Sequence, residues 1–240
     1  MNYMSIDISV IIPAYNEEKY IAKCITSVKK QHGNMQYEII VVDNNSSDKT
    51  FTIANSMGVE VIKEMKKGVG AARKRGTQIA KGRYVLHLDS DSVIPPNYLI
   101  RVIQYFEHNS KVVCLGGQYV FYDAPIYVSF LRFILFYPTL IFARLFSWGR
   151  IGPMGGCMAF RNSTYKMTEG FNTDLKFGED ADLSRQLSFF GKVKVYPPLK
   201  CYVSSRRFKF NFNLLVLFVQ FIKMVFNRKS NYNFPHSDEL

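Results

Sequence analysis

Between residues 6 and 91, short runs of β-branched residues alternate with stretches of helical period, and this alternation leaves few folds open to the chain. Ile6 to Pro13 (IDISVIIP), Tyr37 to Val42 (YEIIVV), Val59 to Ile62 and Tyr84 to Leu88 are apolar enough to be buried strands. Ile21, Cys24, Ile25 and Val28 recur at helical spacing and give one apolar face. Asn16 is the expected cap of that helix, with Glu17 and Glu18 in its first turn. Lys49 to Met57 and Ala71 to Lys81 read as the next two helices, the second opened by Gly68-Val69-Gly70. Strands joined through helices pair in parallel and are covered on both faces. The expected class is α/β, a Rossmann-like, mostly parallel twisted sheet flanked by helices. Such sheets bind ligands beyond the carboxyl ends of their strands. Pro13, Asp43 and Asp89 each stand at such an end.

The fourth strand runs out into Asp89-Ser90-Asp91. Two carboxylates this close repel each other unless a cation sits between them. A divalent ion held by few carboxylates, with phosphate oxygens completing its sphere, is the usual setting for Mg²⁺ or Mn²⁺. The formal net charge of +12 favours a partner that carries phosphate. The basic residues are dispersed and form no nucleic-acid-binding motif, so nucleic acid is not the expected partner. Cys24, Cys114, Cys157 and Cys201 are far apart in sequence and make no Cys-x-x-Cys pair, so neither a zinc site nor a redox motif is expected. No charged, then apolar, N-terminal pattern suggests a signal peptide.

The stretches Val10-Ile11-Ile12-Pro13-Ala14-Tyr15-Asn16-Glu17, Val41-Val42-Asp43-Asn44-Asn45-Ser46-Ser47-Asp48, Gly70-Ala71-Ala72-Arg73 and Leu88-Asp89-Ser90-Asp91 are followed by Gly178-Glu179-Asp180-Ala181-Asp182-Leu183. In order and spacing this set resembles the family 2 glycosyltransferases, which have the GT-A fold. The resemblance covers roughly residues 6–92 and 153–206. It implies a nucleotide-diphosphate sugar donor, a divalent cation (Mn²⁺ or Mg²⁺), and transfer with inversion at the anomeric carbon. It also implies that Asp91, with Asp89, holds the metal, and that Asp180 is the general base. Pro13, Ala14 and Tyr15 would frame the base, with Asn16, Glu17, Asn45 and Ser90 in the same nucleotide-sugar site. Asp43 can accept hydrogen bonds from base or ribose. Lys67, Arg73 and the backbone at Gly70 would face the phosphates. Gly155, Gly156, Glu179, Arg206 and Arg207 fall on the acceptor side. The two arginines either close over the diphosphate or face anionic lipid.

The chain departs from the family pattern in three places. Lys74 stands where Asn often follows the arginine. No histidine occurs near residues 204–207, which leaves the third metal ligand, and metal dependence itself, open. The Gln-x-x-Arg-Trp signature of processive synthases is absent, the only tryptophan being Trp148, so transfer of a single sugar is expected. A polyprenyl-phosphate glycosyl synthase is the alternative within the class. Such enzymes usually carry an arginine where Gly117-Gln118-Tyr119 stands.

The expected organisation is one domain over 1–210, with a nucleotide-sugar-binding half (1–110) and an acceptor half (111–210). Pro96 to His108 reads as a helix and Lys111 to Tyr122 as a strand, with Gly116-Gly117 making a bulge or a close approach to ligand. Val193 to Tyr196 reads as a last strand, ended by Pro197-Pro198. Residues 126–148 form an apolar insertion broken by Arg132, Pro138 and Arg144, and so too interrupted to cross a hydrocarbon layer of about 30 Å. That insertion is either an interfacial or re-entrant helical element, kinked near Pro138, or a buried helical insertion. Residues 211–229 read as a C-terminal amphipathic helix with one narrow polar face, and 230–240 as a tail. Together they imply apolar interfacial helices inserted in the domain and at its C-terminus. They also imply an anionic membrane surface as partner, a lipid-linked or membrane-proximal acceptor, and a peripheral or monotopic position on the cytoplasmic side.

Overall fold

The computed structural model describes residues 5–124, 150, 152 and 156–206. The insertion at 126–148, the helix at 211–229 and the tail at 230–240 lie outside the described residues, as do Gly155 and Arg207. Eight strands of the described residues form one sheet in the order β3-β2-β1-β4-β7-β6-β8-β5. These are β1 (Ile8–Ala14), β2 (Tyr37–Asp43), β3 (Glu60–Lys63), β4 (Tyr84–Leu88), β5 (Ser92–Val93), β6 (Val112–Phe121), β7 (Cys157–Arg161) and β8 (Lys192–Val203). The helices among the described residues are α1 (Ile21–Lys29), α2 (Thr50–Ser56), α3 (Val69–Ile79), α4 (Tyr98–His108), α5 (Asn162–Tyr165) and α6 (Glu179–Leu187).

The first four strands pair in parallel, as their helical connections require. On the other side of β4 the sheet turns mixed, because β7 is antiparallel to both β4 and β6. β1 shows why the strands read as unbroken apolar runs. Ile8, Val10 and Ile12 enter the core beneath α1 and α4, while Ile11 enters the opposite core with Ala72, Phe160 and Leu183. Burying each such side chain is worth about 1.5–3 kcal/mol.

Two local expectations are corrected. Asn16 does not cap α1. It takes a left-handed conformation (φ 52°), and the helix begins five residues later, after Tyr20. The Asn16 side chain instead accepts a hydrogen bond from the Ser47 amide at 2.9 Å, and its own amide donates to Ser46 Oγ at 3.0 Å. The loop after β1 is thereby stitched to the loop after β2. The second correction concerns β8, which runs through Pro197-Pro198 to Val203. The prolines sit where its pairing with β6 slips between Gly116 and Gln118, so the sheet loses no ladder bond to them. Gly117 permits this slip: a Cβ there would overlap the Leu199 carbonyl and stand 2.9 Å from the Tyr98 hydroxyl. The close approach at this glycine is therefore to β8.

Candidate active site

The carboxyl ends of β1, β2 and β4 lie side by side, and three acidic positions follow from that register. Asp43 ends β2 opposite Ala14 of β1. It is 1% exposed, and its Oδ1 has no hydrogen-bond partner among the described residues. Its Oδ2 has only a long contact, 3.4 Å, from the Ser46 amide. A buried carboxylate oxygen left without a donor costs free energy unless a ligand supplies one. The next residue, Asn44, does structural work that its sequence context did not announce. Its Nδ2 donates to the Glu64 and Lys66 carbonyls, and its Oδ1 accepts from the Gly68 amide, all at 2.8 Å. This pins the loop that carries Lys67, which is solvent-exposed, to the end of β2. Asn45 is exposed and left-handed (φ 64°), whereas Tyr15 is half-buried beside the buried Pro13 and Ala14.

Beyond β4, each carboxylate of the Asp-Ser-Asp turn is held by an arginine, and each arginine also holds a glutamate. Arg73, 4% exposed on α3, donates from Nη2 to Asp89 Oδ1 at 2.9 Å and from Nη1 to Glu179 Oε1. Arg206, just past β8, grips both oxygens of Glu17 at 2.6 and 2.7 Å. The same guanidinium reaches Asp91 Oδ2 through Nε at 3.1 Å and Nη2 at 3.0 Å, and lies over the Tyr20 ring at 4.1 Å. Burial works against the charge on both guanidiniums, but the facing carboxylates outweigh it and hold each pKa above the ordinary arginine value. Burial pushes the Glu179 carboxyl up to about 7, against the pull of Arg73. Glu17, Arg73 and Arg206 were expected to face the donor or acceptor. In the structure Arg73 pairs with Asp89 and Glu179, and Arg206 pairs with Asp91 and Glu17, because buried charges must find partners within the protein.

Gly156 precedes β7 and faces this turn. Its carbonyl accepts from the Asp89 amide at 3.3 Å. A Cβ on residue 156 would overlap Asp89 Oδ2 and come within 3.1 Å of the Tyr119 hydroxyl. The absence of a side chain at residue 156 thus leaves room for the Asp89 carboxylate. Tyr119 belongs to the site although nothing in its strand context marked it, since it is carried there by the slip at Gly117. Beneath the turn, Cys24 Sγ donates to the Asp89 carbonyl at 3.5 Å, and Ser90 is buried.

Asp180 lies in the first turn of α6, half-buried, with Oδ1 accepting the Ala181 amide at 2.7 Å. It adjoins Glu179, whose ion pair with Arg73 ties the first turn of α6 to the arginine that also holds Asp89. α6 is seated by Ala181, Leu183 and Leu187, all buried against the sheet. Lys66 reaches Thr173 at 2.7 Å and Asp174 at 3.0 Å, joining the β3–α3 loop to the segment before α6. Among the described residues no three His, Cys, Asp or Glu side chains gather closely enough to enclose a metal ion. The donor set fits a divalent cation only in the manner of Mg²⁺ or Mn²⁺ that take one or two carboxylates and fill the other positions with phosphate and water.

The sequence model described as Glycosyl transferase family 2 matches residues 9–167, well over half of the chain. The chain belongs to this family. Relatives similar to it include the glycosyltransferase GlyG of Streptococcus pneumoniae, 31% identical over 122 residues, with 48% of this chain and 40% of that protein covered. The chain spans less than half the length of the curated relatives it matches. Among solved structures, the mannosyltransferase PcManGT from Pyrobaculum calidifontis, in complex with GDP-Man and Mn²⁺, superposes with a TM-score of 0.70 at 17% identity, covering 92% of this chain and 63% of that one. Residues 1–349 of Staphylococcus aureus TarS, in complex with UDP-GlcNAc, give 0.67 at 23% identity, with 84% and 59% covered. The family 2 chain thus has the GT-A fold: a mixed α/β arrangement whose curled sheet is flanked by helices.

Proposed function

We propose that this chain binds a nucleotide-diphosphate sugar and transfers the sugar, with inversion, to a hydroxyl acceptor. The observation that carries the reading is the convergence of Asp43, the Asp89–Asp91 pair and Asp180 at one end of the sheet. Asp43 Oδ1 suits a ribose hydroxyl or a base N–H, either of which would supply its missing donor. Asp91, with Asp89, would hold a divalent cation, whose charge offsets the charge developing on the leaving diphosphate. Asp180 removes the acceptor proton as the acceptor oxygen bonds to the anomeric carbon. The bond from that carbon to the diphosphate breaks, and its electron pair leaves with the phosphate oxygen. Gly156 supports this by leaving room for Asp89. Gly156→Ala is therefore expected to displace the Asp89 carboxylate and lower metal-supported nucleoside diphosphate affinity by about tenfold to a hundredfold. Calorimetry on the folded variant checks this, and unchanged affinity would remove Asp89 from the donor site.

We read the acceptor as lipid-linked or membrane-proximal, and the partner surface as anionic membrane. The support is the net charge of +12 and the amphipathic pattern of 211–229. Among the described residues no helix is long and apolar enough to cross a membrane.

A thermal-shift screen of nucleotide sugars with Mn²⁺ tests the central reading. A donor present at about 100 times its Kd stabilises the fold by about 2.7 kcal/mol. Asp43→Ala is expected to weaken nucleoside diphosphate binding about tenfold, both with Mn²⁺ and with EDTA, because a hydrogen bond to a charged group is worth about 1.5–3 kcal/mol. If no nucleotide sugar shifts the transition, or if Asp43→Ala binds as well as the unaltered chain, the donor assignment is wrong.

A further inference from the structure

We propose that Arg206 is the resident counter-ion of the cation site, competing with the divalent cation for Asp91 and yielding only when a diphosphate accompanies the cation. The proposal rests on the donor reading above, and adds an order of assembly and a role for the Arg206–Glu17 pair.

Arg206 places two nitrogens on Asp91 Oδ2, at 3.0 and 3.1 Å, while both Glu17 oxygens hold its far side at 2.6 and 2.7 Å. Glu17 is 1% exposed and Asp91 is 7% exposed, so this bridge is shielded from water and screened little by salt. A divalent ion on either oxygen of Asp91 would then stand beside a fixed positive charge, and like charges this close repel. The cation alone therefore binds against repulsion. A diphosphate reverses the sign, because its oxygens can ligate the cation and accept from the guanidinium together. The guanidinium has no acidic role to lose, since arginine stays protonated throughout. Cation and diphosphate should consequently bind with strong positive coupling, and by linkage each raises the affinity of the other by the same factor. Glu17 holds the arginine beside Asp91, with the guanidinium lying over the Tyr20 ring.

The test is titration of the full chain with Mn²⁺, followed by the loss of the free-ion electron paramagnetic resonance signal, with and without inorganic pyrophosphate. Arg206→Gln is expected to bind Mn²⁺ alone at least about tenfold more tightly, and to lose a similar factor of the enhancement that pyrophosphate brings. Arg206→Lys keeps the charge but cannot bridge both carboxylates, so it should fall between the two. If circular dichroism shows Arg206→Gln unfolded, the lysine variant decides. Asp91→Asn separates two kinds of failure. If Asp91→Asn abolishes Mn²⁺ binding but neither Arg206 variant tightens it, the competition is refuted and the donor reading stands. If Asp91→Asn binds Mn²⁺ unchanged, the cation site is misplaced and both readings fall.

Discussion

Asp180→Asn is expected to bind donor as the unaltered chain does and to lose about 10²–10⁴ in single-turnover transfer. An acceptor hydroxyl ionises far above neutral pH, so it attacks only if a carboxylate takes its proton in the transition state. Inversion by one direct displacement needs one such base and no covalent intermediate, unlike double-displacement glycoside hydrolysis. Three acids stand in the first turn of α6, Glu179, Asp180 and Asp182, and the first two differ in their surroundings. Glu179 is buried and ion-paired with Arg73, while Asp180 is half-buried and accepts the Ala181 amide. A base locked in an ion pair is unavailable to a substrate hydroxyl. Asparagine keeps the size and the amide contact at 180 but cannot accept the proton. Donor affinity should hold because Asp43, Asp89 and Asp91 are untouched. Transfer that survives in Asp180→Asn but is lost in Glu179→Gln would move the base to Glu179.

Arg73→Met should cost about 3–5 kcal/mol of folding stability, the usual penalty for stranding a buried ionic partner. Arg73 holds two carboxylates, and Glu179 is 6% exposed with nowhere else to discharge. Against total stabilities of about 5–15 kcal/mol, a loss of this size is visible in urea titrations. The pH dependence has a definite sign. The Glu179 carboxyl is raised to about 7 in the fold, above its ordinary value of 4.5, so the native state holds its proton more tightly than the unfolded chain. The stability this brings is present below the unfolded value and fades as pH rises through about 7. Removing Arg73 deletes the pull that keeps the raised value in check. The penalty should therefore be larger at pH 8 than at pH 6, and the double variant Arg73→Met/Glu179→Gln should recover part of it. A cost below about 1 kcal/mol at pH 8 would mean that Glu179 needs no cationic partner.

The fold was legible wherever apolar pattern alone decides. β1, β2 and β4 announce themselves as β-branched runs, and the acidic residues at their ends follow from parallel pairing. What the pattern could not supply was the pairing of charges across long separations. Arg73 meets Glu179 over 106 residues, and Arg206 meets Glu17 over 189. The sequence reading turned Arg73 toward phosphate and Arg206 toward diphosphate or anionic lipid, since a lone basic residue does not say which anion it will face. Asn16 was misread for a related reason. Its side chain suits a helix cap and a loop stitch equally, and only the loop after β2, thirty residues on, decides. Tyr119 had no signal at all, because its orientation depends on a slip between two strands.

The placement of β7 has a consequence for synthesis. β4, which runs out into Asp89 and Asp91, has β1 on one edge and β7 on the other, and β7 begins only at Cys157. A ribosome adding about 5–20 residues per second needs several seconds to travel from the one to the other. For that interval the nascent chain holds a hydrophobic strand, Tyr84–Leu88, with one backbone edge open to any partner. Slow codons or a stall between residues 90 and 157 would lengthen the exposure. Fragments ending in that interval should aggregate more readily than those that include Arg161.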